Sequence, residues 1–190
     1  MNTATATLRT EHEAIISMLD ATEVVARNIS SGTLPSAETL QGLLEFFKVF
    51  ADRCHHGKEE DLLFPLLETK GLPRSHGPIG VMLHEHEQGR ELIRRMTAAA
   101  DQFSGGNLDA AEGWALAAGA YAMLLRAHIQ KENNILFMMA EGMLTGAEQS
   151  ALAADFEKLE VEKLGEGTHA RLHRLMHQLR AEIFARPAVA

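Results

Sequence analysis

The chain has 190 residues, of which 46% are apolar and 23% are charged, so it has enough apolar surface to form the core of a single domain. This composition excludes intrinsic disorder for most of the chain. Lys and Arg together number 18 against 26 Asp and Glu, which gives a net charge of -8, and the basic residues are scattered. The charge argues against a nucleic-acid-binding protein, because such proteins present clustered cations to phosphates.

The number of cysteines and the first residues of the chain indicate the cellular compartment in which the protein is expected. The single cysteine, Cys54, cannot form an internal disulfide, so nothing indicates a secreted disulfide scaffold. Residues 1–16 lack the basic start and apolar block of a signal peptide, and no run approaches the roughly 18 apolar residues of a spanning helix. We therefore expect a cytoplasmic protein, monomeric or homodimeric, with neither a membrane nor a nucleic acid as partner.

The pattern of apolar residues predicts an all-α fold. Ala, Leu, Glu and Met are abundant, alternating β-branched runs are few, and Gly and Pro interrupt the chain only at wide intervals. Helices are expected at about residues 5–30, 36–70, 77–104, 109–141, 145–165 and 168–186. We expect residues 5–142 to form an antiparallel up-down four-helix bundle and residues 145–186 a helical pair packed on it, within one domain over residues 1–190.

Two of these helices have buried faces that the spacing specifies in detail. The stripe of the second helix is predicted to continue through Leu62, Leu63 and Leu66, with Pro65 kinking or loosening its last turn. The stripe of the fourth helix is predicted to continue through Ile135 and Met139. A Thr145-to-Glu148 capping box predicts the start of the fifth helix.

Polar residues in the middle of these apolar stripes point to a metal. The second helix contains His55-x-x-x-Glu59 and the fourth contains His128-x-x-x-Glu132, a spacing that puts imidazole and carboxylate one turn apart on one face. Such side chains are costly to bury unless they are paired or bound to a metal. His12 on the first helix and His86 on the third are predicted to face the core as well.

Chain distances place these side chains at one height. His12 and His55 lie at nearly equal distances from the turn between their helices, and so do His86 and His128. We therefore expect the four imidazoles, with Glu59 and Glu132, to meet in one layer of the bundle. Mixed imidazole and carboxylate donors favour Fe or Mn over Ca or a thiolate-rich Zn site, and two bridging carboxylates favour two metal ions.

The ordered motifs resemble the hemerythrin family, specifically the bacterial hemerythrin-like (HHE cation-binding) proteins. The resemblance covers residues 8 to about 142 and rests on Glu11-His12-Glu13, His55-x-x-x-Glu59, Glu85-His86-Glu87 and His128-x-x-x-Glu132. It implies a non-haem di-iron centre with an oxo or hydroxo bridge, in which Mn or Zn can substitute. The four histidines would be terminal ligands, and Glu59 and Glu132 would bridge the ions.

The chain departs from the pattern of that family at one place, and two further ligand assignments stay open. Oxygen-carrying hemerythrins use five histidines, two of them four residues apart on helix three, but the residue four beyond His86 is Arg90. His56 and Glu60 form a second pair at the same spacing, on a face turned about 100° from the core, so a shifted register is an alternative. His169, in a ladder with His173 and His177, is a weaker candidate ligand, whereas His84 is expected to be solvated.

Several functions are compatible with such a centre. The leading hypothesis is a di-iron protein that binds or reacts with O₂, peroxide or NO as a sensor, a store or a peroxide-detoxifying protein, with peroxidase-like or catalase-like turnover left open. One alternative is iron storage or delivery, as in proteins of iron–sulfur repair. Another is a bundle that the metal merely stabilises. The biological role depends on family analogy, which does not by itself fix function.

Overall fold

The computed structural model describes residues 3–185, and this range forms helices and no β-strand, which confirms the all-α prediction. The helices are α1 (Ala4–Ser30), α2 (residues 37–69), α3 (Gly77–Ser104), α4 (residues 110–143), α5 (Gly146–Leu164) and α6 (Thr168–Ala185). None of these helices is both long and apolar enough to cross a membrane.

The helix starts follow from their capping residues. The hydroxyls of Thr3 and Ser36 accept hydrogen bonds from backbone N–H groups in the first turns of α1 and α2. At α5, the hydroxyl of Thr145 accepts from the N–H of Glu148 while the carboxylate of Glu148 accepts from the N–H of Thr145, so the predicted capping box is present. The predicted end of the last helix, at about residue 186, lies outside the described residues.

The first four helices form the bundle and the last two cover one side of it. Helix α4 packs along both α1 and α3, and α2 contacts α1 and α3. The short connections make neighbouring helices antiparallel. Helices α5 and α6 both pack against α1 and α2, so the α1–α2 side of the bundle is covered and the α3–α4 side faces solvent more directly.

Helices α2 and α4 each contain π-helical turns, which carry one more residue per turn than an α-helix. In α2 these are Phe46–His56 and Glu59–Leu63, and in α4 the turn is Glu132–Leu136. The first stretch of α2 ends at the candidate histidines, and each of the other two starts at a candidate glutamate. Pro65 follows the second stretch, which agrees with the predicted loosening of this part of α2.

The extra residues shift the buried stripes by one position after each glutamate. In α2, Leu63 is fully buried as predicted, but Leu62 and Leu66 are only half-buried, and Phe64 and Leu67 are fully buried in their place. In α4, Ile135 is 50% exposed and Met139 is only half-buried, so that prediction is wrong as well. The residues that replace them in the core of α4 are Leu136, Phe137 and Ala140. A spacing rule based on 3.6 residues per turn cannot anticipate this shift.

Two apolar clusters occupy the bundle, one on each side of a polar layer. The larger cluster includes Ile15, Ala51, Ile93 and Ile129. The smaller one includes Leu8, Leu63, Met82 and Leu136, each four residues along its helix from a histidine or glutamate of that layer. Buried His and Glu side chains from all four bundle helices lie between the clusters. The core therefore closes the layer at both ends of the bundle.

Candidate metal centre

Five imidazoles and two carboxylates meet in this layer. Their donor atoms form two groups, and within each group the atoms lie within 4.8 Å of one another. The first group comprises His12, His55, Glu59 and Glu132. The second comprises His56, Glu59, His86 and His128. All seven side chains are buried. The structure thus brings together all six residues proposed from the sequence as principal ligands, and it adds His56.

Both carboxylates reach from one group to the other. One oxygen of Glu59 lies 3.6 Å from Nε2 of His55, and its other oxygen lies 3.6 Å from Nε2 of His86. The two oxygens of Glu132 lie 3.1 Å from Nε2 of His12 and 3.1 Å from Nε2 of His128. Each carboxylate can therefore offer one oxygen to each of two neighbouring metal ions.

Most of the donor atoms lack hydrogen-bond partners, and the exceptions are Nε2 of His86 and Nε2 of His128, which lie 3.1 Å apart. Nε2 of His12, His55 and His56 and all four oxygens of Glu59 and Glu132 are buried without a hydrogen-bond partner among the described residues. Leaving so many buried polar atoms unpaired is very unfavourable, and a metal ion would satisfy them. The donor set therefore fits a metal pair. Mixed nitrogen and oxygen donors without thiolate suit iron or manganese.

His56 is the residue that the sequence pattern misplaced. It was expected on a face turned away from the core, but only 4% of its surface is exposed. The π-helical stretch Phe46–His56 turns successive residues through a smaller angle than an α-helix does, so both His55 and His56 face the layer. The shifted register with Glu60 is therefore not what the structure shows. His56 joins His55 in the layer, while Glu60 lies outside both donor groups.

An outer ring of oxygen atoms holds each imidazole. Four of the rings direct Nδ1 at an oxygen 2.6–3.0 Å away, and His56 does so at 3.4 Å. The pairs are His12 with Asn133, His55 with Glu11, His56 with Asp52, His86 with Glu60, and His128 with Glu85. When Nδ1 carries the proton and donates this hydrogen bond, Nε2 keeps a free lone pair. Nε2 is then the atom of the ring that can bind a metal ion at the centre.

The two halves of the bundle repeat this arrangement. In each half the Glu before the first histidine accepts from the imidazole of the next helix, and a Lys before the bridging Glu donates to that same carboxylate. The first half uses Glu11, His55 and Lys58, and the second uses Glu85, His128 and Lys131. Glu11 and Glu85 stand in the motifs that carry the resemblance, but no role was predicted for these outer residues from the sequence. The Glu-His-Glu tripeptides and Lys-Glu dipeptides at matching places in both halves are the signal that could have found them.

The protonation preferences of the metal-free layer reflect its burial and its two facing carboxylates. Burial and the neighbouring Glu132 carboxylate raise the pKa of Glu59 well above its usual value. Burial and the nearby His12 lower the pKa of His55 to about 4. Burial opposes a charge on His128, but the carboxylates of Glu132 and Glu85 outweigh it and raise that pKa to about 9.

A third group of possible metal ligands, made of two carboxylates and a thiol, lies beside the centre where α5 packs on the bundle. Glu11, Cys54 and Glu160 approach one another there, but the ammonium of Lys58 binds both carboxylates and offsets part of their charge. Burial raises the pKa of the Cys54 thiol to about 12, so this cysteine is a poor nucleophile. His169 lies 3.5 Å from Glu160 and outside both donor groups.

Removing the ammonium of Lys58 is expected to destabilise the protein strongly. Its side chain is only 2% exposed, and Glu11, whose pKa its neighbours hold at about 2 despite burial, would lose its cation. We expect Lys58→Met to lower the free energy of unfolding by about 3–5 kcal/mol, because a buried charge is left unpaired. Urea denaturation of the metal-free protein measures this. The matched Lys158→Met removes an exposed pair with Asp155 and should leave the free energy of unfolding almost unchanged. Equal effects would contradict the assignment.

Comparison with known proteins gives a family match. A family model described as Hemerythrin HHE cation binding domain matches residues 3–140, which includes all seven donors. No solved structure gives a significant match to the chain.

Several curated relatives are named for iron–sulfur cluster repair. The chain is 39% identical to Iron-sulfur cluster repair protein YtfE of Edwardsiella ictaluri (strain 93-146) over 90 residues, 46% of this chain and 41% of that protein. It is 30% identical to the YtfE protein of Enterobacter sp. (strain 638) over 128 residues, 65% and 56% of the two chains. It is 37% identical to Iron-sulfur cluster repair protein DnrN of Neisseria gonorrhoeae over 94 residues, 44% and 54%. The chain thus spans about half the length of these relatives.

Proposed function

Because the chain belongs to the hemerythrin HHE cation-binding family, we propose that it holds two iron ions and uses them to bind or react with a small oxidant or NO. The observation that carries the proposal is the convergence of seven buried imidazole and carboxylate side chains, five of which have donor atoms without a hydrogen-bond partner and two of which are carboxylates that reach both donor groups. An iron pair supplies redox change and coordination positions for a small molecule.

Counting donors supports an open rather than a closed site. Five imidazoles and two bridging carboxylates would fill nine of the roughly twelve positions of two six-coordinate ions. The remaining positions are available to solvent or to a small ligand. A site that only held helices together would instead be coordinatively closed.

The chain's own residues set what can reach those positions. The two apolar clusters close the bundle above and below the layer, which limits the access of water and of large substrates along the bundle axis. The outer carboxylates orient the imidazoles and keep their Nε2 atoms directed inward. These features favour O₂, peroxide or NO as the partner.

Spectroscopy of the iron-loaded protein tests this proposal. We expect ligand-dependent changes in the visible and near-ultraviolet spectrum on adding azide, hydrogen peroxide or NO. His128→Ala should lose at least one iron and most of this absorption, whereas the matched His84→Ala, on the solvent face of α3, should change neither. A spectrum that ignores every ligand would place the protein with metal-stabilised bundles.

Iron delivery is a second candidate, favoured by the names of the relatives. Proteins similar to this chain over part of their length are named for iron–sulfur cluster repair. In that role the iron would have to be labile, so incubation with a metal-free acceptor protein should transfer iron within minutes to hours. Retention of all the iron in the presence of the acceptor would exclude delivery and leave ligand binding.

A further inference from the structure

Helix α6 carries three histidines at intervals of four residues, His169, His173 and His177, and all of them lie outside both donor groups of the metal centre. The first two are partly buried where α6 packs on α2, and His177 is exposed. The ring of Phe50 in α2 stacks on that of His169 and meets that of His173 edge-on, with 5.7 Å between centroids in both cases. These two imidazoles are therefore held against the bundle.

The two packed imidazoles are spaced as two ligands of one metal ion. Their Nε2 atoms lie 3.3 Å apart. With metal–nitrogen bonds of about 2.0–2.1 Å, two imidazole ligands of a tetrahedral zinc ion also lie roughly 3.3 Å apart. Histidines four residues apart are a recurrent pair of zinc ligands, because one helical turn brings both rings to the same face. The backbone of α6 thus already has the geometry that a chelating pair needs.

A carboxylate from α5 lies beside this pair. Oε1 of Glu160 is 3.5 Å from Nδ1 of His169, the ring nitrogen that does not face His173. A carboxylate beside one ring nitrogen favours the tautomer in which the other nitrogen is free to bind a metal. The second oxygen of Glu160 accepts a hydrogen bond from the ammonium of Lys58 at 3.0 Å. Glu160 is therefore fixed between α2 and α6, where it can orient His169.

The surroundings of His173 favour the neutral imidazole that binds metals. Burial and the neighbouring His169 hold the pKa of His173 below its usual value, and the carboxylates of Glu160 and Glu11 oppose this only in part. Both carboxylates are already paired with Lys58. The affinity for a cation therefore depends on the two imidazole nitrogens and not on an excess of negative charge.

We propose that His169 and His173 form a second metal site, separate from the centre inside the bundle, for a single divalent transition-metal ion of the zinc class. Nε2 of each imidazole binds the ion, Glu160 orients His169 from the other side of its ring, and solvent completes the coordination. Nitrogen donors suit zinc, nickel and copper better than calcium or magnesium. The site lies at the junction of α5 and α6 and does not depend on the function proposed for the centre.

Calorimetric titration of the iron-loaded protein with Zn²⁺ tests the site, with the iron content measured before and after. We expect about one further ion per chain at saturation. His173→Gln should abolish this binding and leave the iron content unchanged, and Glu160→Gln should weaken it about tenfold or more. The matched His84→Gln, at a histidine on the solvent face of α3, should bind Zn²⁺ as the wild type does. Equal Zn²⁺ binding in wild type and His173→Gln would overturn the proposal.

A comparison of neighbouring histidines tests which pair binds the ion. His173 and His177 are also four residues apart, so they are the alternative pair. We expect His169→Gln to lose Zn²⁺ binding and His177→Gln to keep it. The opposite result would overturn the assignment, because the ion would then lie one turn further along α6.

A measurement on Glu59→Gln separates this inference from the proposed function and leaves α6 unaltered. This variant is expected to hold little iron, yet Zn²⁺ should still shift the imidazole nuclear magnetic resonance signals of His169 and His173 saturably. Shifts at these two rings would support the second site even if the iron proposal failed. The absence of any saturable shift at either ring would overturn the inference, whether or not the wild type binds iron.

Discussion

Glu59→Gln is expected to reduce the iron content from about two ions per chain to less than about half an ion. Glu59 is the side chain that belongs to both donor groups, and its two oxygens face His55 and His86. Glutamine keeps the shape but loses the charge and one of the two oxygens, so it can no longer neutralise and bridge two cations. Metal analysis after anaerobic loading measures the change.

Two comparisons make this result specific. Glu13→Gln alters a glutamate beside His12 that points to solvent, and it should leave the iron content unchanged. Glu60→Gln loosens the hydrogen bond to Nδ1 of His86, so it should weaken metal affinity by roughly 10–100-fold without preventing loading at saturation. If Glu60→Gln emptied the site and Glu59→Gln kept two ions, the shifted ligand register would be correct instead.

Removal of the metal is expected to lower the melting temperature by more than about 10 °C. Saturation of a single site at a thousand times its dissociation constant adds about 4 kcal/mol of stability, and each kcal/mol corresponds to about 2–4 °C in a chain of this size. The metal-free layer also leaves the oxygens of Glu59 and Glu132 buried without hydrogen bonds. The lost free energy of metal binding and the unpaired oxygens both make the metal-free protein less stable.

Differential scanning calorimetry of the loaded and the chelator-treated protein measures this difference. Glu59→Gln serves as the control, because a variant that holds little metal should respond little to the chelator. Re-addition of iron to the wild type should restore the higher melting temperature. Identical melting of loaded and metal-free wild type would show that the buried donors do not bind metal strongly.

The sequence was sufficient to predict the helices and to bring together six of the seven buried side chains that form the two candidate donor groups. The spacing of His55 and Glu59, and of His128 and Glu132, put each pair on one face of a helix, and the chain distances from the turns predicted a common layer. Those inferences depend on local periodicity and on helical rise, which are properties of the chain itself.

The other features of the site depend on departures from regular helix geometry and on contacts between residues that are distant in the sequence. The π-helical turns in α2 bring His56 into the layer and shift the buried residues after Glu59, and a pattern of 3.6 residues per turn misses both effects. The outer contacts, such as Glu11 with His55, join residues 44 positions apart. Only the packed bundle shows which acid supports which imidazole.

Anaerobic titration of the metal-free protein with ferrous iron, followed by calorimetry, tests the central claim most directly. The account predicts saturation at about two ions per chain, because the seven donors form two groups that share Glu59 and both face Glu132. Saturation at a single ion, or the absence of measurable binding to correctly folded protein, would contradict it.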